Sequence, residues 1–138
     1  MVEVVMAAAV LAVMMAGIFN CFGYGFFASQ LARENQRATQ IILEKVETLR
    51  LYRWDQVTTP GFIPTSFTEA YDPQAASNVQ GVTYTGSVLI SAMPFTSSYS
   101  DKMRRIDVTL SWSTAGRLSH TRTLTTFVAK DGLQNYVY

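Results

Sequence analysis

The chain opens with an apolar run that is long enough to cross a lipid bilayer. Val4–Ala28 reads VVMAAAVLAVMMAGIFNCFGYGFFA, 25 residues interrupted only by Asn20 and a few glycines. A helix of about 20 apolar residues spans the hydrocarbon of a bilayer. A cleaved signal peptide is disfavoured, because its apolar region is about 7–15 residues long and follows basic residues, and none precede this run. The run therefore predicts a membrane-spanning helix.

Charge divides the chain into two parts. Of its 138 residues 15% are charged, with a formal net charge of +1, and Glu3 is the only acidic or basic residue between Met1 and Gln30. The later part has no dense positive cluster, so nucleic-acid binding is not expected. A single cysteine, Cys21, and a single histidine, His120, exclude an intramolecular disulfide and the usual Cys/His zinc sites.

Glu3 is an unusual residue for a simple membrane anchor. A charged side chain costs about 2.5–3.5 kcal/mol at the bilayer centre, and less near an interface, so such residues are candidates for function. Two interpretations stay open from the residues alone. Glu3 either takes part in a specific interaction within the apolar phase or lies solvated in the headgroup layer.

The opening string MVEVVMAAAVLAVMMAGIF resembles the mature N-terminus of type IV pilins and pseudopilins. In that family a prepilin peptidase cleaves a short basic leader after a glycine, the new N-terminal residue is methylated, and a glutamate stands at the fifth mature position. Met1-Val2-Glu3 matches the third to fifth places of this pattern. The resemblance thus implies that the sequence begins two residues inside the mature chain.

The resemblance also implies roles for residues of the apolar run. Glu3 would pair with the N-terminal amine of a neighbouring subunit. The small residues Ala8, Ala12 and Gly17 would let neighbouring helices pack closely, although alanine is also simply a good helix former. Family members lose helicity near this point in filaments, so we expect an irregular segment within Gly17 to Gly25. The residues expected to weaken the helix are Asn20, Gly23 and Gly25.

A second, amphipathic helix is predicted to follow directly. Its apolar residues recur mostly at three- and four-residue spacings, and the charges around them, among them Glu34 and Arg37, are expected to form a solvated face. The turn signal Pro60-Gly61 should end the helix between Leu51 and Thr58. The apolar positions are Leu31, Ala38, Ile41, Ile42, Val46 and Leu49.

The remaining residues predict a β-sheet head. Thr58–Asn78 has no sustained period and is expected to be a loop, and the pattern then changes to alternation typical of antiparallel strands. Ala115-Gly116 is a candidate hairpin turn. One sheet face should pack on the second half of the long helix. The alternating apolar positions are Val82, Tyr84, Val88 and Ile90, then Ile106, Val108, Leu110 and Trp112, then Leu124 and Val128.

These patterns predict an α+β fold with a long N-terminal helical spine and a C-terminal antiparallel sheet, the lollipop layout that pilins also show. The predicted segments are 1–28 as the membrane span or filament core, 29–57 as the amphipathic helix, and 58–138 as the sheet head.

No catalytic constellation is found in the sequence. His120 lies on a predicted strand with no nucleophile motif nearby and is expected to be a surface or packed residue, and no P-loop is present. We therefore predict neither enzymatic activity nor a cofactor or metal. The basic residues Lys102, Arg104 and Arg105 suggest a subunit contact or a solvated loop, with binding to phosphate-rich partners as the alternative.

The expected function is that of a structural and adhesive subunit of a homopolymeric type IV pilus-like filament. The resemblance implies an assembly platform, a motor ATPase and a prepilin peptidase as partners. It also implies residence in the bacterial inner membrane before assembly and on the cell surface afterwards. The alternatives are a minor pseudopilin of a type II secretion system and a monomeric membrane-anchored binding protein.

Overall fold

A computed structural model describes residues 1–76, 79–114, 118–130 and 132. It contains a 50-residue helix and an antiparallel sheet, which confirms the α+β fold with a helical spine and a sheet head. The elements are α1 (Val2–Leu51), α2 (Trp54–Thr58), β1 (Ser66–Ala70), β2 (Thr83–Ala92), β3 (Met103–Thr114) and β4 (Leu118–Ala129), with a 3₁₀ turn at Ser100–Lys102.

The chain divides into two compact units. The first is Met1–Asn35, which is the N-terminal part of α1, and the second is Gln36–Tyr138. The boundary lies inside the continuous helix, beyond the end of the apolar run at Ala28. The second unit therefore holds all the strands together with the last turns of α1.

Helix α1 ends at Leu51, within the interval that the proline and glycine signals predict. The amphipathic segment is not one helix to residue 57, because a break after Leu51 separates α1 from the five-residue helix α2. The backbone N–H of Arg53 donates to Oε1 of Gln56 at 2.9 Å, which satisfies one free donor at the start of α2. Gly61 follows in the left-handed region at φ 82°, where the absence of a Cβ removes the steric cost.

The four strands form one sheet in the order β1-β2-β3-β4, and every neighbouring pair is antiparallel. Alternate residues of β3 face the core, as the period of two predicts. The buried residues of β3 are Ile106, Val108, Leu110, Trp112 and Thr114. The turn candidate Ala115-Gly116 and Asn78 lie outside the described residues.

The hydrophobic core of the second unit lies between α1 and the inner face of the sheet. Ile42, Val46 and Leu49 belong to one buried cluster with Tyr84 and the inward residues of β3, which confirms that the sheet packs on the later part of the helix. Burial of each large aliphatic side chain contributes about 1.5–3 kcal/mol.

Strand β1 corrects the prediction that the segment from Thr58 to Asn78 is entirely a loop. Ser66–Ala70 pairs with β2, and Phe67 lies opposite Gly86. A Cβ on Gly86 would lie 2.1 Å from Cζ of Phe67, so the ring occupies the space that glycine leaves open. A five-residue strand carries too little periodic signal to be found locally, and the fit between Phe67 and Gly86 becomes visible only after the strands pair.

Candidate assembly site

The first unit presents an apolar helix that none of the described residues covers. Every residue from Met1 to Gln30 is exposed, and this helix is long and apolar enough to cross a membrane. Exposed apolar surface of this extent marks a site of membrane or protein contact. Glu3 lies in the first turn of α1, where the partial positive charge of the helix N-terminus favours a carboxylate.

The helix distributes the predicted contact residues over two sides. Because successive residues of an α-helix are rotated by about 100°, Glu3 and Gly17 project within about 40° of each other. Ala8 and Ala12 form a second pair with the same separation, about 180° away around the helix axis. The predicted contact residues therefore lie on two opposite sides of the helix.

The predicted irregular segment within Gly17 to Gly25 is absent from the structure. Helix α1 is continuous from Val2 to Leu51. The expectation that Asn20, Gly23 and Gly25 interrupt it is therefore wrong for the isolated chain. Each glycine costs only about 0.8–1.0 kcal/mol relative to alanine, and an interruption would leave backbone groups without partners. Asn20 adapts to the helix by donating from Nδ2 to the carbonyl oxygen of Ala16 at 2.9 Å.

The solvated-face prediction is wrong for Glu34. Its side chain is 3% exposed, and its Oε1 accepts a 2.7 Å hydrogen bond from Nε2 of Gln30, one helical turn earlier. A buried carboxylate needs such donors because its desolvation is costly. Glu47 and Arg50 follow the expectation, since they form an exposed ion pair of 3.0 Å. Charge alone does not distinguish these positions in the sequence.

The basic residues Lys102, Arg104 and Arg105 do not converge on one surface. Arg104 and Arg105 are consecutive on β3 and therefore point to opposite faces of the sheet. The guanidinium of Arg104 lies 5.4 Å from the centre of the Trp54 ring, whereas Nε of Arg105 pairs with Asp107 at 3.0 Å. Lys102 lies in the 3₁₀ turn. Adjacency in sequence suggested a cluster that strand geometry separates.

His120 is a packed residue, one of the two outcomes that its place on a strand predicted. Its ring stacks on Trp112, with centroids 5.2 Å apart and planes inclined by 25°. Trp112 and His120 are direct cross-strand partners. The buried atoms Nε1 of Trp112 and Nε2 of His120 have no hydrogen-bond partner among the described residues. Within that part of the chain no group of three His, Cys, Asp or Glu residues is placed to hold a metal ion.

An open cleft of about 350 Å³ lies in the second unit. It runs between the segment that follows α2 and the end of β2, and its lining includes Pro60, Ile63, Leu89 and Arg104. Arg104 already donates to the backbone oxygens of Asp101 and Met103. This cleft is one concave surface on which a ligand could bind.

Comparisons of the chain with models of known protein families, with curated proteins and with solved structures found no match.

Proposed function

We propose that this protein is the structural subunit of a type IV pilus-like filament that polymerises through its apolar N-terminal helix. The observation that carries the proposal is the uncovered helix of the first unit, in which every residue from Met1 to Gln30 is exposed. Such a surface needs an apolar partner. In the membrane that partner is lipid, and in a filament it is the same helix of neighbouring copies.

Glu3 favours assembly over simple anchoring. A lone carboxylate weakens insertion, so an isolated anchor gains nothing from it. In a bundle of copies, the carboxylate of one helix pairs with the amine at the start of another, and each charge removes the desolvation cost of the other. This pairing favours one helix register over its alternatives. In any other register the two charges stay unpaired in an apolar core, and the desolvation of each then costs several kcal/mol, even after the surroundings relax.

The subunit occupies two locations in turn. The subunit is held in the bacterial inner membrane by its apolar helix and is then extracted into a filament whose surface is formed by the heads. The partners it requires are a prepilin peptidase, an assembly platform and a motor ATPase. The second candidate, a monomeric membrane-anchored binding protein, is favoured by one observation, the 350 Å³ cleft beside β2.

Electron microscopy of material sheared from cells that express the chain tests the proposal. The expected result is a helical polymer whose reconstruction contains this chain, with the Val4–Ala28 helices in the core and the sheets outside. A chain recovered only as a detergent-soluble monomer, with no polymer on the cell surface, would overturn the proposal and favour the anchored binding protein.

A further inference from the structure

The two edges of the sheet carry complementary strands. β4 is an edge strand of twelve residues that pairs with β3 in unbroken register, and it contains neither lysine nor proline. Natural proteins usually protect long edge strands with such residues or with bulges, because the free N–H and C=O groups of an edge recruit other strands. At the opposite edge lies β1, which also has one neighbour among the described strands.

Backbone hydrogen bonds define which residues face each open edge. The N–H of Lys130 donates to the oxygen of Lys102 at 2.8 Å, so the even-numbered residues of β4 bond to β3 and the odd-numbered residues direct their backbone groups outward. The N–H of Tyr71 likewise donates to the oxygen of Val82 at 2.8 Å, so the even-numbered residues of β1 face its open edge. Thr123 and Thr68 are therefore edge-facing residues of the two strands.

We propose that β4 of one copy pairs with β1 of the next copy, so that neighbouring heads in the filament share one antiparallel sheet. This inference rests on the proposed function. An antiparallel sheet with an even number of strands has edges that run in opposite directions, so copies held in one common orientation present β4 antiparallel to β1. A contact between two different surfaces is heterologous and propagates, whereas pairing of β4 with itself would close a two-fold dimer.

One register satisfies both faces of the joined sheet. With Thr123 opposite Thr68 of the next copy, the edge-facing backbone groups meet in hydrogen-bonded pairs. The same register places Arg122 opposite Glu69 and Leu124 opposite Phe67. Leu124 and Phe67 are each only partly buried in their own chain, so the contact would bury them further. Glu69 lies 3.4 Å from Nζ of Lys45, and Arg122 donates to Thr39, so the attraction between Arg122 and Glu69 adds to contacts that each side chain already makes. A shift by two residues removes the pairing of Arg122 with Glu69.

Existing contacts agree with this arrangement. On the outer face of the sheet, Thr109 and Thr123 are linked through their hydroxyl groups at 3.0 Å, so threonines already pair across strands of this fold. The four strands of one copy span about 19 Å. This width exceeds that of the helix that covers them, about 10–12 Å, so the helices of neighbouring copies fit side by side on the joined sheet. The residues whose backbone groups face the two open edges have uncharged side chains. They are Ser119, Thr121, Thr123, Thr125 and Phe127 on β4, and Ser66, Thr68 and Ala70 on β1.

Disulfide trapping in filaments tests the pairing. In a Cys21→Ala background, the full-length variant Thr68→Cys/Thr123→Cys should form disulfide-linked multimers on oxidation, because directly opposite residues have Cα atoms about 5.5 Å apart. The matched control is Thr85→Cys/Thr123→Cys. Thr85 is the direct partner of Thr68 on β2 and is also exposed on the outer face, but it would lie about 10 Å from Thr123 of the next copy, beyond the disulfide limit of about 7 Å.

The outcomes separate this inference from the proposed function. A ladder of multimers in the first variant and none in the control supports the pairing. Filaments without a ladder, or a dimer formed by Thr123→Cys alone, overturn the pairing and leave the filament proposal intact. Absence of filaments from the unaltered chain overturns both. As a check that needs no substitution, amide exchange at Thr121, Thr123 and Thr125 should slow by about tenfold or more between detergent-solubilised monomer and filament, and unchanged exchange overturns the pairing.

Discussion

The hydroxyl group of Thr125 donates a 2.6 Å hydrogen bond to Oδ1 of Asp107, its direct partner across β3 and β4. This bond is the main cause of the lowered pKa of Asp107, to which Arg105 contributes while burial opposes it. The contact joins two strands on the outer face of the sheet, opposite the face that packs on α1. It therefore links the stability of the head to pH.

Acid should weaken the head through Asp107. Because the pKa of the folded carboxyl is lowered below its unfolded value of about 3.9, its contribution to stability is complete above the unfolded value. The contribution is lost as pH falls through the folded pKa. Thr125→Val should raise the folded pKa, so that the loss begins at higher pH. Urea unfolding of the detergent-solubilised chain between about pH 6 and pH 2 measures this effect.

Thr123→Val is the matched control for that experiment. Its hydroxyl pairs with Thr109 rather than with a carboxylate, so its effect on stability should not depend on pH. Asp107→Asn should remove the pH-dependent contribution that this carboxyl makes to stability. Identical acid profiles for Thr125→Val and the unaltered chain would contradict the assignment.

Gly86 should tolerate no side chain while Phe67 is present. A Cβ at Gly86 would lie 2.1 Å from the Phe67 ring, so Gly86→Ala should destabilise the head by about 1–3 kcal/mol through overpacking. Gly23→Ala is the contrasting variant, since nothing lies within 4 Å of that position, and it should stabilise the helix by about 0.8–1.0 kcal/mol. Urea unfolding measures the effect of Gly86→Ala, and circular dichroism measures the helix content of Gly23→Ala. Equal stability of Gly86→Ala and the unaltered chain would show that the Phe67 ring moves aside freely.

Adjacent residues of α1 should differ sharply in their sensitivity to truncation. Ile42 is 2% exposed and belongs to the core, whereas Leu43 is 47% exposed. Ile42→Ala should lower the free energy of unfolding by about 2–5 kcal/mol, and Leu43→Ala by no more than about 0.5 kcal/mol. Chemical unfolding of the two variants compares them directly. A loss for Leu43→Ala as large as the loss for Ile42→Ala would contradict this assignment of the two side chains.

Removal of the carboxylate of Glu3 should impair assembly and leave insertion intact. Glu3→Val makes the first turn fully apolar, which favours the membrane, but it abolishes the charge pair proposed to define the register. We expect normal membrane fractionation with filament yield reduced by about tenfold or more, since loss of a register-defining pair is worth more than 1.4 kcal/mol. Glu44→Ala, which removes an exposed carboxylate from the later part of α1, serves as the control. Filaments of normal number and order from Glu3→Val would contradict the role of this residue.

Features that depend on neighbours along the chain were predictable. The apolar run, the amphipathic period around Ile42 and the alternation along β3 are local patterns, and each corresponds to an element of the structure. Helix and strand impose periods of 3.6 and 2 on whatever residues must be buried. The two halves of the spine and the sheet head follow from those periods and from the position of Pro60-Gly61.

Features that depend on residues distant in sequence were not predictable. β1 exists because Ser66–Ala70 meets β2 at a glycine that admits the Phe67 ring.

The amino-acid sequence by itself determined that an apolar helix with one carboxylate leads into an amphipathic helix and an antiparallel sheet, because periodicity and charge are read residue by residue. Only the tertiary structure decided that Glu34 is buried and that β1 and β4 are opposite edges of one sheet. Burial and strand order arise from contacts between segments far apart in the chain, and no local pattern records them.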